Sequence, residues 1–268
     1  MIDNGKRDLL GVGVNVIDYE GSVARIITAA QARQPLSVSA LAVHGVMEGF
    51  LNAEQKYRLN RLDLVVPDGH PVRWALRLLH GQKLYDRVCG PELVDFTLAE
   101  AERLGLPVFL YGSRDEVLDG FVARIRRLQP KLIIAGVEAS KFRSLTEAES
   151  RALQSRVIAS GARILLVGLG CPRQEVFAFE NARPLSMPVM AVGAAFDFHA
   201  GTVARAPEWM RSNGLEWLFR LTREPLRLWR RYLLLNPLYM AMVAAQMLWG
   251  KAVGWTGETE PRSPIRYG

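Results

Sequence analysis

The sequence predicts an α/β protein with a Rossmann-like, mostly parallel sheet covered by helices, followed by a helical C-terminal appendage. Two observations support this prediction. Short apolar runs alternate with helical patterns up to about residue 200, as expected of a parallel sheet with helices on both faces. After Gly201 the strand pattern stops, and the chain becomes rich in Arg, Trp and Leu. We therefore predict an α/β core (1–203), a basic and apolar helical appendage (204–255) and a disordered tail (256–268).

Each predicted strand is a short apolar run bounded by turn residues. The predicted strands are residues 9–17, 36–43, 62–66, 107–111, 131–135, 163–167 and 188–192. The helices between them begin or end at recognisable signals, such as the capping box formed by Thr146 and Glu149 and the terminating Gly161. The predicted helices are residues 22–32, 46–59, 72–79, 91–104, 116–128, 146–160 and 172–181.

The composition is that of a globular protein, because 49% of the 268 residues are hydrophobic. The formal net charge of +7 is unevenly distributed, since residues 205–231 hold seven arginines and three glutamates. Such a cluster predicts an anionic partner, and the lack of a DNA- or RNA-binding motif argues against nucleic acid. Two cysteines, Cys89 and Cys171, are typical of a reducing compartment, and the N-terminus lacks the apolar run of a signal peptide.

Residues 232–250 form a stretch of 19 residues without a charge, which is just long enough to span a bilayer. Asn236 and Pro237 interrupt it, Gln246 lies inside it, and aromatic residues mark both ends. These features favour a helix that lies in the membrane interface or docks on the core over a true span.

Asp68 follows the predicted strand 62–66 and stands in a turn, Pro67-Asp68-Gly69, before a helix. Ligands of open α/β sheets bind beyond the carboxyl ends of the strands, so this carboxylate is a candidate catalytic group. Asp-Gly is also a common turn pair, and the local sequence alone favours a structural role.

A second glycine-rich turn, residues 168–175 (GLGCPRQE), follows a buried strand and opens a helix whose N-terminus favours an anion. A dinucleotide fingerprint requires a third glycine where Arg173 stands. Gly11 and Gly13 begin a second possible fingerprint, but Val16 occupies the position of its third glycine. A nicotinamide site is therefore not predicted, whereas a phosphate or sugar site stays open. Gln174 and Glu175 suit hydroxyl contacts and equally suit the polar first turn of a surface helix.

Asp197 and His199 follow the last predicted strand, where they indicate either a pocket wall or a structural aspartate. No second histidine, cysteine or acid stands beside His199, so a zinc site is not indicated.

The most unusual segment is 214–232, in which Arg220, Arg223, Arg227 and Arg230 recur at steps of three, four and three. Helical spacing places them on one face, although Pro225 is expected to break the helix. The arginine fork suits diphosphate oxygens. A solvated basic face, or a basic helix lying on acidic lipid, is the alternative.

Four blocks, residues 66–73, 168–175, 192–201 and 214–232, resemble the WecG/TagA/CpsF glycosyltransferase family in order and spacing. The resemblance implies inverting transfer of a hexose or N-acetylhexosamine-type sugar from a UDP-sugar to a polyprenyl-diphosphate-linked saccharide. It implies no metal or other cofactor, and work at the inner face of the plasma membrane in bacterial cell-surface or exopolysaccharide synthesis. Homo-oligomerisation is left open.

By this resemblance Asp68 is the general base, and Gln174 and Asp197 occupy family positions. Arg220, Arg227 and Arg230 match arginines implicated in diphosphate recognition. The other candidate substrate-binding residues are Gly168, Gly170, Arg173, Glu175 and His44. Many members carry a Thr-x-Asn motif after the second strand, where residues 39–45 read SALAVHG here. His44 is the nearest polar candidate in this stretch. Because this wall is expected to contact the substrate, the identity of the sugar stays open.

Two other classes of function remain as alternatives. A non-enzymatic, membrane-associated adaptor would use the appendage without needing Asp68 or the 168–175 turn. A nucleotide-sugar-modifying enzyme such as an epimerase would ordinarily need the nicotinamide fingerprint that the chain lacks.

Overall fold

A computed structural model describes residues 1–250 and 257–268 of the chain. The strands of the described part are β1 Asp3–Leu9, β2 Val12–Ile17, β3 Leu36–Leu41, β4 Leu64–Pro67, β5 Val108–Gly112, β6 Ile134–Glu138, β7 Ile164–Gly168 and β8 Pro188–Ala191. Six of these described strands form a parallel sheet in the order β4-β3-β8-β7-β5-β6. The predicted Rossmann-like α/β architecture is confirmed.

Helices cover both faces of the sheet because its strands are apolar on both sides. In the described residues the helices are α1 Tyr19–Ala32, α2 Val43–Leu51, α3 Ala53–Arg61, α4 His70–His80, α5 Gly90–Leu104, α6 Asp115–Leu128, α7 Glu147–Ala159, α8 Arg173–Leu185, α9 Ala195–Ala200, α10 Glu208–Ser212, α11 Glu216–Arg223, α12 Pro225–Trp229 and α13 Asn236–Trp249. A π-helical segment, Arg230–Leu235, joins α12 to α13. Alternate residues of one strand enter opposite cores: Leu165 and Val167 lie in one hydrophobic cluster, and Ile164 and Leu166 in the other.

The first predicted strand, residues 9–17, is wrong as a single element. Leu10 and Gly11 have φ values of 56° and 82°, and they form the turn of an antiparallel hairpin between β1 and β2. Glycine adopts such a φ at little cost, which is why the chain can reverse there. The hairpin lies beside the main sheet, where the Asn15 side chain accepts a hydrogen bond of 2.8 Å from the Val65 N–H. This bond occupies a backbone donor at the edge of the sheet.

Two other predicted boundaries also differ from the structure. The predicted helix 46–59 is two helices, because Asn52 adopts an extended conformation and its side chain caps α3 by accepting from the Gln55 N–H at 3.0 Å. The predicted strand 131–135 lies three residues further along, at Ile134–Glu138.

The appendage is helical, as predicted, and is interrupted at Glu224, whose φ of −134° ends α11 before Pro225. From Pro225 to Trp249 the described chain is one helical run of 25 residues, long and apolar enough by composition to cross a membrane. One side of α13 nevertheless packs on the core. Tyr239 donates to the Pro71 carbonyl at 3.2 Å, and the Gln246 side chain accepts from the Leu10 N–H at 3.0 Å.

The structure describes residues 257–268 of the predicted disordered tail. These residues contact the core at α3 and beside Leu145, among other places. Glu258 pairs with Arg61 at 2.7 Å, and the Leu145 N–H donates to the Arg266 carbonyl at 2.7 Å. The predictions for residues 251–255 of the appendage and for residue 256 of the tail lie outside the described residues.

Candidate active site

A cavity of about 660 Å³ lies between the carboxyl ends of four adjacent strands and the appendage. Strands β4, β3, β8 and β7 are neighbours in the sheet, so the turns that follow them meet at one edge. Asp68 follows β4, His44 follows β3, Asp197 follows β8 and Gly170 follows β7, and all four line the cavity. The opposite wall consists of residues from α11, α12 and the π-helical segment.

Asp68 is held in place by its own backbone, whose N–H donates to the Leu41 carbonyl at 3.2 Å. Burial raises the pKa of its carboxyl to about 6. The charge of Arg87 and a hydrogen bond from the Gly90 N–H lower this pKa, whereas the charges of Glu216 and Glu92 raise it. A carboxyl group with this pKa is ionised at neutral pH and is a stronger base than an ordinary aspartate.

The wall after β7 is made by the first turn of α8. Gln174 and Glu175 are 4% and 1% exposed, and both line the cavity. Gln174 donates to Glu175 Oε1 at 2.9 Å, and the Ser39 hydroxyl donates to the same oxygen at 3.2 Å. Gln174 Oε1 and Glu175 Oε2 are buried without a hydrogen-bond partner in the described part of the chain. Burial raises the pKa of Glu175.

The two glycines of this wall serve different needs. A side chain at Gly168 would meet the Phe196 ring at 2.7 Å, so this glycine permits packing rather than the approach of a ligand. Gly170 has a φ of 77° and open space beside it, which a tight turn facing the cavity requires. Arg173, a predicted contact, does not line the cavity: its guanidinium lies 5.7 Å from the Tyr267 ring centroid.

Asp197 and His199 point to different places. Asp197 lines the cavity, where burial raises the pKa of its carboxyl against the opposing charge of Arg227. His199 is stacked on Phe121, with ring centroids 4.8 Å apart, and its Nδ1 lies 3.8 Å from Asp95. This histidine is therefore a core residue outside the cavity lining.

His44, the candidate at the departure from the family pattern, lies in the first turn of α2 and lines the cavity. Burial, together with the charge of Arg231, lowers the pKa of this imidazole to about 4. The ring is thus neutral at physiological pH, so it can recognise a polar group without adding charge.

Three of the four regularly spaced arginines line the cavity: Arg220, Arg227 and Arg230. Arg223, the last residue of α11, does not: its guanidinium lies 5.3 Å from the Phe219 ring centroid. Arg231 takes a place in the lining instead.

Arg87, Glu216 and Arg231 are cavity residues that the sequence interpretation missed. Arg87 and Glu216 form an ion pair of 2.6 Å across the junction of core and appendage. Arg87 and Glu216 are 129 residues apart, so no periodic pattern in the sequence links them. Arg230 and Arg231, by contrast, are adjacent in a largely apolar stretch, and this pattern could have indicated Arg231 as a candidate.

Helices α2, α4, α8 and α9 begin at the cavity, and the side chains of their N-cap residues make no hydrogen bond to the first turn. Helix α5 also begins there, and its Gly90 N–H donates to the Asp68 carboxylate. Helices α1, α3 and α7 begin elsewhere and are capped by Asp18, Asn52 and Thr146. Helix α6 also begins elsewhere but lacks a side-chain cap. Free N–H groups at helix N-termini bind anions, so this edge of the sheet suits a phosphate.

Among the described residues there is no group of three or more His, Cys, Asp or Glu side chains that could hold a metal ion. The cations of the cavity lining are arginines: Arg87, Arg220, Arg227, Arg230 and Arg231. Together with Asp68, the arrangement can remove a proton at one wall and stabilise negative charge at the other.

Comparison with known protein families gives a match that extends over nearly the whole chain. Residues 7–253 match the family described as the glycosyl transferase WecG/TagA/CpsF family. The match includes all four cavity-forming strand ends and the appendage.

Proposed function

We propose, on the premise that the chain belongs to the WecG/TagA/CpsF glycosyltransferase family, that it moves a sugar from a UDP-sugar to a polyprenyl-diphosphate-linked saccharide with inversion. Membership makes the protein a glycosyltransferase, with a nucleotide-sugar donor and an acceptor substrate, and removes the adaptor alternative. The observation that carries the finer proposal is the composition of the cavity, in which the Asp68 carboxylate lies on the core wall and arginines line the appendage wall.

Asp68 is the proposed general base. An inverting transfer needs a group that takes the proton of the acceptor hydroxyl while the oxygen attacks the sugar from the side opposite the leaving group. With a pKa of about 6, Asp68 is ionised at neutral pH and holds the proton better than an exposed aspartate would.

The leaving nucleoside diphosphate gains negative charge as the bond to the sugar breaks. Arg220, Arg227 and Arg230 are the proposed contacts to phosphate oxygens, because the planar guanidinium can donate two parallel hydrogen bonds. Arg220 Nε is buried without a partner in the described residues, so a donor is free for a ligand. The uncapped first turn of α8 can add backbone N–H groups.

Gln174, Glu175 and His44 are proposed to recognise the sugar. Gln174 Oε1 and Glu175 Oε2 are buried acceptors without partners in the described chain, and a buried acceptor is costly to leave unpaired. Hydroxyl or amide N–H groups of a hexose or N-acetylhexosamine would satisfy both. Gly168 and Gly170 shape the turn beside them, and Asp197 faces the arginines.

The acceptor is proposed to arrive from the inner face of the plasma membrane. Leu228, Tyr232, Leu234 and Leu235 give the cavity an apolar side next to the arginines. The adjoining helix exposes Leu248 and Trp249, which are 75% and 69% exposed. This combination suits an amphipathic ligand with a diphosphate group and a lipid chain.

The proposal is tested by incubating the protein with radiolabelled UDP-sugars and extracted lipid-linked acceptors, followed by product identification and determination of the new anomeric linkage. We expect a labelled lipid product whose linkage is inverted relative to the donor. A retained linkage would refute the single-base mechanism, and label found only in altered nucleotide sugar would favour the nucleotide-sugar-modifying alternative.

Thermal protection provides an independent test of the donor. UDP and UDP-sugars should raise the melting temperature, because a ligand that binds only the folded state stabilises it. NAD is the matched control and should have no effect. Protection by NAD without protection by UDP would contradict the proposed donor.

A further inference from the structure

The appendage meets the core beside Asp68 through a partly buried ion pair. Arg87, in the loop between α4 and α5, donates from Nη2 to Glu216 Oε2 of α11 at 2.6 Å. The two side chains are 11% and 19% exposed, and both line the cavity. Partial burial makes this pair different from an exposed surface pair, because water screens its charges less.

Several charged or titratable groups face Asp68 from the elements around it. Arg87 and Cys89 lie in the loop before α5, Glu92 lies on α5 and Glu216 lies on α11. His70, on α4, lines the same cavity. Of these groups Arg87 is the cation that acts on Asp68, and it lowers the pKa of that carboxyl, whereas Glu216 and Glu92 raise it. Glu92 is itself occupied, since it accepts from Arg205 and Arg211.

The charge of Arg87 therefore acts on two carboxylates, those of Asp68 and Glu216. The side-chain hydrogen bond of Arg87 within the described residues goes to Glu216 and not to Asp68. A guanidinium released from Glu216 would still have beside it the Asp68 carboxylate, whose charge already acts on Arg87, and an arginine–carboxylate pair strongly favours the ionised carboxylate. A base paired in that way would hold a proton poorly.

We propose that Glu216 is a positioning residue for the base: by binding Arg87 it keeps this cation from closing on the Asp68 carboxylate. The inference rests on the proposed function, in which Asp68 removes the acceptor proton. It gives α11 a role apart from phosphate binding, because the strength of a base on the core then depends on an acid of the appendage. The same part of the appendage is fixed by Arg211, whose carbonyl lies 2.9 Å from His70 Nε2.

The direct test is the titration of Asp68 by NMR in full-length protein carrying ¹³C at the aspartate carboxyl carbons, with the resonance assigned by Asp68→Asn. Glu216→Gln should lower the pKa of Asp68 by about one unit, the lower end of the effect of a close charge. Glu216→Asp keeps the charge at shorter reach and should give an intermediate value. Glu208→Gln is the matched control, since Glu208 is an exposed acid of the appendage outside the cavity lining, and it should leave the titration unchanged.

The kinetic test follows kcat/KM against pH. A general base is active when deprotonated, so activity should rise with pH around 6 in the unaltered protein. In Glu216→Gln this limb should move to lower pH while the plateau falls, because the base is weaker; a merely structural loss would lower the plateau without moving the limb. Glu216→Asp should restore part of the plateau.

The outcomes separate the two proposals. An Asp68 titration that is the same in Glu216→Gln and the unaltered protein would overturn the role of Glu216, whatever the activity shows. If Glu216→Gln does not fold, an unchanged titration in Glu216→Asp overturns it equally. Absence of transfer by the unaltered protein would instead overturn the proposed function, while the titration would still decide whether Glu216 and Asp68 are coupled.

Discussion

The two walls of the cavity differ in how they hold their polar groups. The core wall presents side chains that are nearly buried, such as Gln174 and Glu175, and burial raises the pKa of Asp68, Glu175 and Asp197. The appendage wall presents arginines, of which Arg227 and Arg230 are exposed along the helical run. Burial can set the protonation state of a carboxyl, whereas a guanidinium keeps its charge in either environment. The core is thus suited to proton transfer and the appendage to charge stabilisation.

The sharpest test of this division is Asp68→Asn. We expect transfer to fall by about 10² to 10⁴, the usual effect of losing a general base. The fold should persist, because the pKa of Asp68 is higher in the folded protein than its ordinary value of 3.8. A carboxyl with a raised pKa in the folded state destabilises the fold as the pH rises from about 4 to about 6, because it is harder to ionise there than in the unfolded chain. Removing its charge therefore costs no stability at neutral pH.

Transfer rate and melting temperature should be measured together at neutral pH. Asp119→Asn, which changes an exposed carboxylate of α6, is the matched control and should change neither. Near-normal transfer by folded Asp68→Asn protein would remove Asp68 from the mechanism and place the base elsewhere in the core wall.

A smaller loss is expected from the appendage wall. Arg227→Ala or Arg230→Ala should each reduce transfer to a water-soluble acceptor analogue by about tenfold to a hundredfold, since a hydrogen bond to a charged group contributes about 1.5–3 kcal/mol. Arg227→Lys keeps the charge without the fork and should fall between the alanine variant and the unaltered protein.

Arg223→Ala is the matched control for the arginines, because Arg223 belongs to the same spaced series but lies outside the cavity lining. It should retain full activity on the soluble analogue. If Arg227→Ala and Arg230→Ala also retain full activity and lose only liposome binding, these arginines are membrane anchors and the appendage wall has no part in the chemistry.

A still smaller effect on chemistry is expected from the exposed face of α13. Leu248→Ser with Trp249→Ser should weaken co-sedimentation with anionic liposomes while leaving transfer to the soluble analogue unchanged. Point substitutions are preferable to truncation after Tyr232, because the buried Tyr239 and Gln246 anchor this helix to the core.

Leu128→Ser with Ile158→Ser provides the control for α13, since these side chains are 49% and 54% exposed on other helices of the core. Unchanged sedimentation of the Leu248 and Trp249 variant would argue that α13 serves docking to the core alone.

The smallest effect is expected from metal removal. Arginines and uncapped helix N-termini already supply positive charge at the cavity, so excess EDTA should leave the transfer rate unchanged. Assays with EDTA alone and with EDTA followed by Mg²⁺ or Mn²⁺ provide the comparison. Activity that EDTA abolishes and a divalent ion restores would refute the metal-independent mechanism.

The sequence by itself determined the α/β class and the edge of the sheet where the cavity lies. Apolar runs report strands because burial on both faces requires continuous hydrophobic residues, and carboxyl ends of parallel strands necessarily share one edge. Asp68, Gly170, Gln174 and Asp197 follow those strands directly, so local position was enough to nominate them as cavity residues. Their chemical roles remain proposals.

Boundaries that depend on one backbone angle were not available from periodicity. The turn at Leu10 and Gly11 and the break at Asn52 each interrupt a pattern that reads as continuous, whereas Pro225 indicated the break at Glu224 in the sequence. Arg223 leaves the series although it follows Arg220 within α11, so the spacing alone did not decide which arginines line the cavity.

Only the tertiary structure could pair Arg87 with Glu216, or turn Arg173 and His199 away from the cavity. These outcomes depend on contacts between distant segments, where no periodic pattern links the partners. The protonation states of buried groups also depend on contacts between distant segments. The sequence shows that a carboxyl group is present at Asp68, but its pKa follows from burial and from the charges that the fold brings beside it.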